Sequence, residues 1–238
     1  MKLAIVIPTY NEKETLPYLI EKLIIEVKKI AEKFSIIIMD DASPDGTAKI
    51  AQGLNQKYNN ITVIERPSKL GLGSAYKEGF RIALDRFDPD LIVQMDADFS
   101  HDPKEIPNMV KKVQDYDYAV ASRHLPESET IGWGIQRKLV HSLAASVARF
   151  CAGVDIKDPT SGYRIFKNNV LKMVNFSEIK SEGFAFQVEL LRYLKKLGLK
   201  GIEIPTKFVN RTKGKSKFGF NESVQFTRMC WFLLQNRT

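Results

Sequence analysis

"DLIVQMDADFSHDP", residues 90–103, is the stretch on which the fold turns. An apolar run passes straight into Asp96 and Asp98, with one alanine between them. A short apolar run bounded by turn signals reads as a strand buried on both faces of a parallel sheet. The two acids at its end have two explanations: they cap the next turn, or they hold a cation. Residues two apart in extended backbone point to the same side, so Asp96, Asp98 and Ser100 line one face of the strand end. Carboxylates held together repel unless a cation or protons intervene. Hard oxygen ligands of this kind suit Mg2+ or Mn2+, above all beside substrate phosphates. Asp102, followed by Pro103 and Glu105, reads as the cap of the next helix.

The same unit repeats upstream. Residues 3–7 are a continuous apolar run, and Asn11 with Glu14 predicts a capping box for a helix reaching about Lys33. Its apolar stripe is Leu16, Leu19, Ile20, Leu23, Ile24 and Val27. "SIIIMD" (35–40) is a second buried strand, ending in Asp40 and Asp41. In "ASPDGT", Ser43 is the expected cap of a helix over 45–58, with Pro44 at its first position. "ITVIE" (61–65) is a third strand, and "LGLGSAY" (70–76) is a glycine-led loop entering a helix. That loop resembles a phosphate cradle, but it lacks both the P-loop ending and the third dinucleotide glycine, so a tight turn is an equal reading. "YAVASR" (118–123) is the fifth strand.

Strand and helix alternate five times by residue 125, which predicts an α/β fold with a parallel sheet and right-handed crossovers. Ligands in such sheets bind beyond the carboxyl ends of the strands. "PTYNE", "DDASPD", "DADFSHDP" and "SRH" all fall there. Within "DDASPD", Asp41 is the choice for a base or ribose contact and Asp40 for a turn bond. After residue 125 the pattern changes to an amphipathic helix over 133–153, "DPTSGYRIF", a helix near 183–197, a strand "GIEIPTKFV" (201–209), a basic loop (210–219) and a last helix from about Asn221. One domain is expected over residues 1–238, with a Rossmann-like nucleotide half (1–125) and an acceptor half (126–238).

Composition narrows the class. An apolar fraction of 44% supports a sizeable core. No stretch is apolar enough to span a bilayer, and the N-terminus lacks a signal-peptide pattern, so a cytoplasmic protein is expected. Cys151 and Cys230 form no metal or disulfide pattern, and three scattered histidines argue against a zinc site. A net charge of +8 suits nucleic acid, an anionic membrane or a phosphorylated substrate. The paired acids at strand ends disfavour nucleic acid, because without metal they repel phosphate. A nicotinamide-dependent oxidoreductase would need glycines after the first strand, where "PTYNE" stands. The loop carrying Arg211, Lys213, Lys215 and Lys217 reads either as a solvated loop or as a flap closing over an anion.

Taken together, "IPTYNE", "DDASPDGT" and the Asp-x-Asp of "MDADFSH" resemble the family-2 glycosyltransferases of the GT-A fold. "LGLGSAY", "MDADFSHDP", "GWGIQRK", "DPTSGYRIF", "GFAFQVELL" and the Gly-x-Ser-Lys-Phe-Gly loop sharpen the likeness to the dolichyl-phosphate (polyprenyl-phosphate) mannose synthases. The match runs from residue 3 to about 220. The resemblance implies a mostly parallel, mixed central sheet flanked by helices. It implies that Pro8, Tyr10, Glu12, Met39 and Asp41 hold the nucleotide of GDP-mannose. Asp96 and Asp98, with Ala97 and Ser100 beside them, would bind Mg2+ or Mn2+ on the diphosphate. Arg123 and Arg137 would meet the phosphate of a polyprenyl phosphate acceptor, and Arg211 and Lys217 would clamp the donor. Asp98, Arg123 and Arg137 carry the catalytic expectation.

Two positions depart from the family: His141 stands where serine is usual, and Lys215 where glutamate is usual. A polyprenyl-phosphate glucose synthase using UDP-glucose is the alternative donor reading. A lipid acceptor implies a protein peripheral at the cytoplasmic face of a membrane. The segment 133–150 and the C-terminal "VQFTRMCWFLLQNRT" suit interfacial helices, and packing in the core is the equal alternative. An end at Thr238 fits a complete chain relying on membrane partner subunits, or a piece cut before spanning segments.

Overall fold

A computed structural model describes residues 1–210 and 220–235. The expected βα units form in order: β1 (Lys2–Thr9), α1 (Leu16–Val27), β2 (Lys33–Asp40), α2 (Thr47–Tyr58), β3 (Ile61–Glu65), α3 (Leu72–Ile82) and β4 (Leu91–Gln94). Then come α4 (Ile106–Lys112), β5 (Tyr118–Ser122), β6 (Glu129–Ile131), α5 (Ile135–Ala152), β7 (Arg164–Lys167), α6 (Asn168–Lys172), α7 (Phe186–Lys196), β8 (Gly201–Pro205), β9 (Lys207–Val209) and α8 (Phe220–Gln235).

Seven strands form one sheet in the order β3-β2-β1-β4-β7-β5-β8. All run parallel except β7, which lies antiparallel between β4 and β5. β7 comes from "YRIF", and its position could not be read from a four-residue strand. "GIEIPTKFV" splits after Pro205: β8 joins the sheet edge, whereas β9 pairs with β6 in a separate ribbon.

Alternate residues of each strand face opposite sides, and the core follows this rule. Leu3, Ile5 and Ile7 pack with Leu16, Leu19, Leu23 and Met109 on one face. Ala4, Val6, Ile37 and Met39 pack with Phe80, Phe186 and Leu190 on the other. The central strands are buried on both faces, which is why they read as unbroken apolar runs.

Several local expectations are corrected. Asn11 does not open α1: it sits at φ 58°, and α1 begins at Leu16 with Pro17 in its first turn. Thr15 Oγ1 donates to Glu12 Oε2 at 2.8 Å, building a turn before the helix. The helix stops at Val27 because Lys33 already pairs with Lys2 in the sheet. Ser43 does not cap α2. Its hydroxyl donates to Asp40 Oδ1 and accepts from the Asn11 N–H, and Asp45 instead accepts from Thr47 N at 3.0 Å. Asp102 caps as expected, accepting from Lys104 N at 3.1 Å. Glu105 turns away to accept from Thr206 Oγ1 and Lys207 N, tying β9 to α4.

Candidate active site

The carboxyl ends of β1, β2, β4 and β5 lie along one edge of the sheet, and the expected site residues gather there. Pro8 and Met39 are register partners on β1 and β2. Three non-glycine residues in the loops leaving these strands have positive φ: Asn11 after β1, Ala42 after β2 and Phe99 after β4. Such backbone is costly for residues with a Cβ and concentrates where side chains must be aimed.

On the donor side, Asp40 and Asp41 part company. Asp40 accepts from Thr9 Oγ1 and from the N–H and hydroxyl of Ser43, which is the turn role read from sequence. Asp41 is buried, ion-paired with Arg66, and accepts from Gly71 N at 3.0 Å. Arg66, also buried, donates from Nε to Glu78 Oε2 at 3.0 Å and from Nη2 to Ser74. The sequence reading missed this arginine, whose one signal is a cation directly after β3. Met39 is fully buried, its Cγ 3.1 Å from where a Cβ on Gly79 would stand. The Glu12 carboxylate accepts from Thr15, and Lys69 lies 4.1 Å above the Tyr10 ring.

The phosphate-cradle reading of "LGLGSAY" does not hold. The N–H groups of Gly73 and Ser74 both donate to Glu182 O, and Gly71 N is spent on Asp41. The glycines allow close approach instead. A Cβ on Gly71, already at φ +94°, would lie 2.6 Å from Glu182 O, and one on Gly73 would lie 2.5 Å from Phe186 Cβ.

At the β4 exit, Asp96 Oδ1 accepts from Tyr76 Oη at 2.8 Å, and the Asp96 N–H donates to His101 Nδ1 at 3.0 Å. His101 is buried and stacks on Tyr163 with ring centroids 4.8 Å apart. Burial lowers its pKa, against the pull of Asp96 and Asp98. Asp98 is buried and its Oδ1 accepts from Ser100 N at 3.0 Å; Ala97 and Ser100 are buried beside it. The Asp96 side chain keeps 28% of its surface exposed. Gly162 faces it, where a Cβ would come 3.3 Å from Asp96 Oδ2. Two hard carboxylates, one partly open beside a position bare of side chain, fit a Mg2+ or Mn2+ ion.

Two strands away, Arg123 leaves β5. Its Nε donates to Asp158 Oδ2 at 2.7 Å and its Nη2 to Asp158 Oδ1 at 2.8 Å, and its N–H also reaches Oδ2. Burial alone would raise the Asp158 carboxyl, but Arg123 outweighs it and holds the group well below the usual carboxylate range. The loop bearing Asp158 is fixed by Arg164, which is fully buried and donates to the carbonyls of Pro159, Ser161 and Gln187. Arg137, exposed in the first turn of α5, stacks over Trp133 at 4.5 Å and donates to Asn210 Oδ1. Arg123 lies over Phe208 at 5.2 Å and over Trp133 at 5.9 Å. The structure thus brings Arg123 and Arg137 to one aromatic ring. Arg211, Lys213, Lys215 and Lys217 lie outside the described residues.

The scattered histidines are only scattered in sequence: His124 and His141 meet at 3.2 Å. Neither they nor Asp158 and Tyr76 were legible as site neighbours, because each meets a partner 17 or more positions away along the chain. An open cleft of about 610 Å³ at the opposite edge, lined by Met1, Asp90, Leu91 and Lys167, includes none of these residues.

A mixed seven-stranded sheet with acids and arginines along its carboxyl edge has the GT-A fold. The chain belongs to Glycosyl transferase family 2, which matches residues 4–174. It is 35% identical over 217 residues to the undecaprenyl-phosphate mannosyltransferase of Micrococcus luteus, covering 91% of this chain and 87% of that protein. It is 36% identical over 215 residues to the polyprenol monophosphomannose synthase of Mycolicibacterium smegmatis, covering 90% and 79%. Among solved structures it resembles glucosyl-3-phosphoglycerate synthase from Mycobacterium tuberculosis in complex with Mn2+, UDP and phosphoglyceric acid (TM-score 0.69, 18% identity, 99% of this chain and 78% of that one). It also resembles mannosyl-3-phosphoglycerate synthase from Rubrobacter xylanophilus (TM-score 0.64, 18% identity, 100% and 74%). At these identities the solved structures speak for the fold alone.

Proposed function

We propose that this glycosyltransferase moves mannose from GDP-mannose to a polyprenyl phosphate, with inversion at the anomeric carbon. The reading covers residues 1–238 as one unit, with the donor half at 1–125 and the acceptor half at 126–238. The observation that carries it is the division of charge along one sheet edge. Asp96 and Asp98 stand at the exit of β4, and Arg123 and Arg137 stand on the far side of β7. The relatives from Micrococcus luteus and Mycolicibacterium smegmatis, named for mannose transfer to polyprenyl phosphates, support the substrates. The Mn2+ in the glucosyl-3-phosphoglycerate synthase complex supports a divalent cation.

The chemistry needs little from the protein beyond placement and charge. A phosphate monoester has a second pKa of about 6, so its attacking oxygen is ionised near neutral pH and no general base is required. Arg123 and Arg137 neutralise the acceptor phosphate and aim it at the anomeric carbon. Asp96 and Asp98, with Ser100 alongside, would hold Mg2+ or Mn2+, which supplies positive charge to the leaving diphosphate. In-line displacement then converts an α-linked donor into a β-linked product, and the rate comes from orientation and electrostatics. Pro8, Tyr10, Glu12 and Asp41 line the nucleotide end with Met39 packed in the core beneath them, Arg66 holds Asp41 in place, and Arg211 and Lys217 supply positive charge for the donor diphosphate.

A lipid acceptor calls for membrane contact. Among the described residues no helix is long and apolar enough to cross a membrane. Yet α5 exposes Leu139, Val140, Leu143 and Phe150, and α8 exposes Trp231, Phe232 and Leu234. Packed side by side, with Lys138 and Arg149 near, these helices suit shallow insertion at the cytoplasmic face of an anionic bilayer. The deciding experiment is transfer of labelled mannose from GDP-mannose to a short polyprenyl phosphate, with UDP-glucose as the control donor. Turnover with UDP-glucose and none with GDP-mannose would overturn the donor assignment.

A further inference from the structure

His124 follows Arg123 at the exit of β5, and its Nε2 lies 3.2 Å from Nδ1 of His141 on α5. The rings are nearly parallel, 19° apart in plane. The other His141 nitrogen, Nε2, lies 3.4 Å from Thr160 Oγ1. Thr160 in turn donates to Asp158 Oδ1 at 3.0 Å and accepts from Arg123 Nη2 at 3.0 Å.

The directions of these bonds are fixed by proton bookkeeping. A hydroxyl has one proton and two acceptor positions. Thr160 gives its proton to Asp158, which is ionised and can only accept. Its lone pairs then take Arg123 Nη2–H and His141 Nε2–H. His141 therefore carries its proton on Nε2 and accepts at Nδ1, which only the Nε2–H of His124 can fill. The bonds run one way, from His124 through His141 and Thr160 to Asp158.

The ligand atoms of His124, His141 and Asp158 all lie within 4.8 Å of one another, a spacing a metal could use. Both Asp158 oxygens are already held by Arg123, however, and a dication there would face two arginines. The groups facing His141 are Arg123 and His124 from the β5 exit, Asp158 from the 158–162 loop, Arg137 from α5 and the Trp133 ring. That surrounding favours a neutral hydrogen-bonded pair.

We propose that His141, backed by His124, is a positioning residue that locks the Arg123 guanidinium through Thr160, leaving its Nη1 edge to the acceptor phosphate. Among the described residues Nη1 makes no hydrogen bond. The phosphate end of this inference rests on the function proposed above. The lock itself does not.

The test compares wild type with His141→Ala, His141→Gln, Thr160→Val and the His141→Ala/Thr160→Val pair. It reads kcat and acceptor KM separately, GDP affinity by calorimetry, and imidazole tautomers by nitrogen-15 NMR. His141→Ala is expected to raise acceptor KM about tenfold, the scale of one hydrogen bond, with GDP affinity unchanged. His141→Gln, whose amide can replace the Nε2–H donor, should recover to within about threefold, and the double variant should be no worse than the worse single one. NMR should show a neutral His141 protonated on Nε2 from pH 5 to 8. An unchanged acceptor KM in His141→Ala, additive losses, or an Nδ1–H tautomer would each overturn the lock. Zinc binding by wild type that is lost in His141→Ala would overturn it in favour of a metal site. Wild type that transfers no sugar to polyprenyl phosphate would sink the functional reading instead, and the tautomers would still decide the lock. Should His141→Ala fail to fold, Thr160→Val and His141→Gln carry the comparison.

Discussion

Asp158 grips Arg123 from two sides, Oδ2 meeting Nε at 2.7 Å and Oδ1 meeting Nη2 at 2.8 Å, with Asp158 wholly out of solvent. A buried pair of this kind adds little net stability when intact, but removing one partner strands the other charge. The guanidinium expected to meet a phosphate is therefore bound into the fold. A variant at Arg123 tests catalysis cleanly only if it keeps the charge.

Asp158→Asn should cost about 3 kcal/mol of stability, because Arg123 is left nearly buried without a counter-charge. Urea unfolding measures it, and a loss under about 1 kcal/mol would mean that water reaches the pair. Arg123→Lys keeps the charge but loses the fork. It should raise acceptor KM while leaving GDP affinity within twofold of wild type.

Asp98→Ala should abolish metal-dependent donor turnover while the chain still folds, as circular dichroism would show. Activity retained at saturating Mn2+ would remove Asp98 from the metal site.

Gly162→Ala separates metal binding from folding. The new methyl would sit 3.3 Å from Asp96 Oδ2 and 3.5 Å from His101 Cε1, crowding the open side of the carboxylate. Weaker Mn2+ binding in the presence of GDP is expected, read by electron paramagnetic resonance, with a modest change in stability. Gly79→Ala is the contrast. Its methyl would fall 2.4 Å from Val6 Cγ1 in the core, so it should lose roughly 1–3 kcal/mol or more of stability.

Stability should fall as the medium is acidified below neutrality. Burial, reinforced by Arg123, pushes the folded His141 imidazole down to about 3, whereas an unfolded histidine titrates at about 6.5. Between those values the unfolded chain binds a proton that the folded chain refuses. Stability is therefore complete above pH 6.5 and is lost as pH drops toward 3, at up to about 1.4 kcal/mol per pH unit from this residue. His101 shifts in the same direction, so the diagnostic quantity is the difference between wild type and His141→Gln. Identical pH slopes in the two proteins would contradict a neutral His141 in the folded chain.

Leu139→Glu with Leu143→Glu should cut binding to anionic vesicles at least tenfold, since both side chains are about two-thirds exposed on α5. Transfer to a short, water-soluble acceptor should be unchanged. Equal vesicle binding would move the lipid contact off this face.

Apolar periodicity and local spacing determined much of this protein. The five parallel strands of the first half were legible because strands buried on both faces must be apolar throughout, and their polar exits follow from where each run stops. That Asp96 and Asp98 fall at the exit of β4 was legible for the same reason: the apolar run stops just before them, and the strand ends at Gln94. Tertiary structure alone decided the remainder. β7 is four residues long and owes its antiparallel place between β4 and β5 to the partners that cover it, not to its own pattern. Arg66 and Asp41 stand 25 positions apart, Asp158 and Arg123 35, and His124 and His141 17. Hydrogen bonds and charges act across a few ångströms of space and leave no period along the chain, so only the folded sheet could bring those groups within reach.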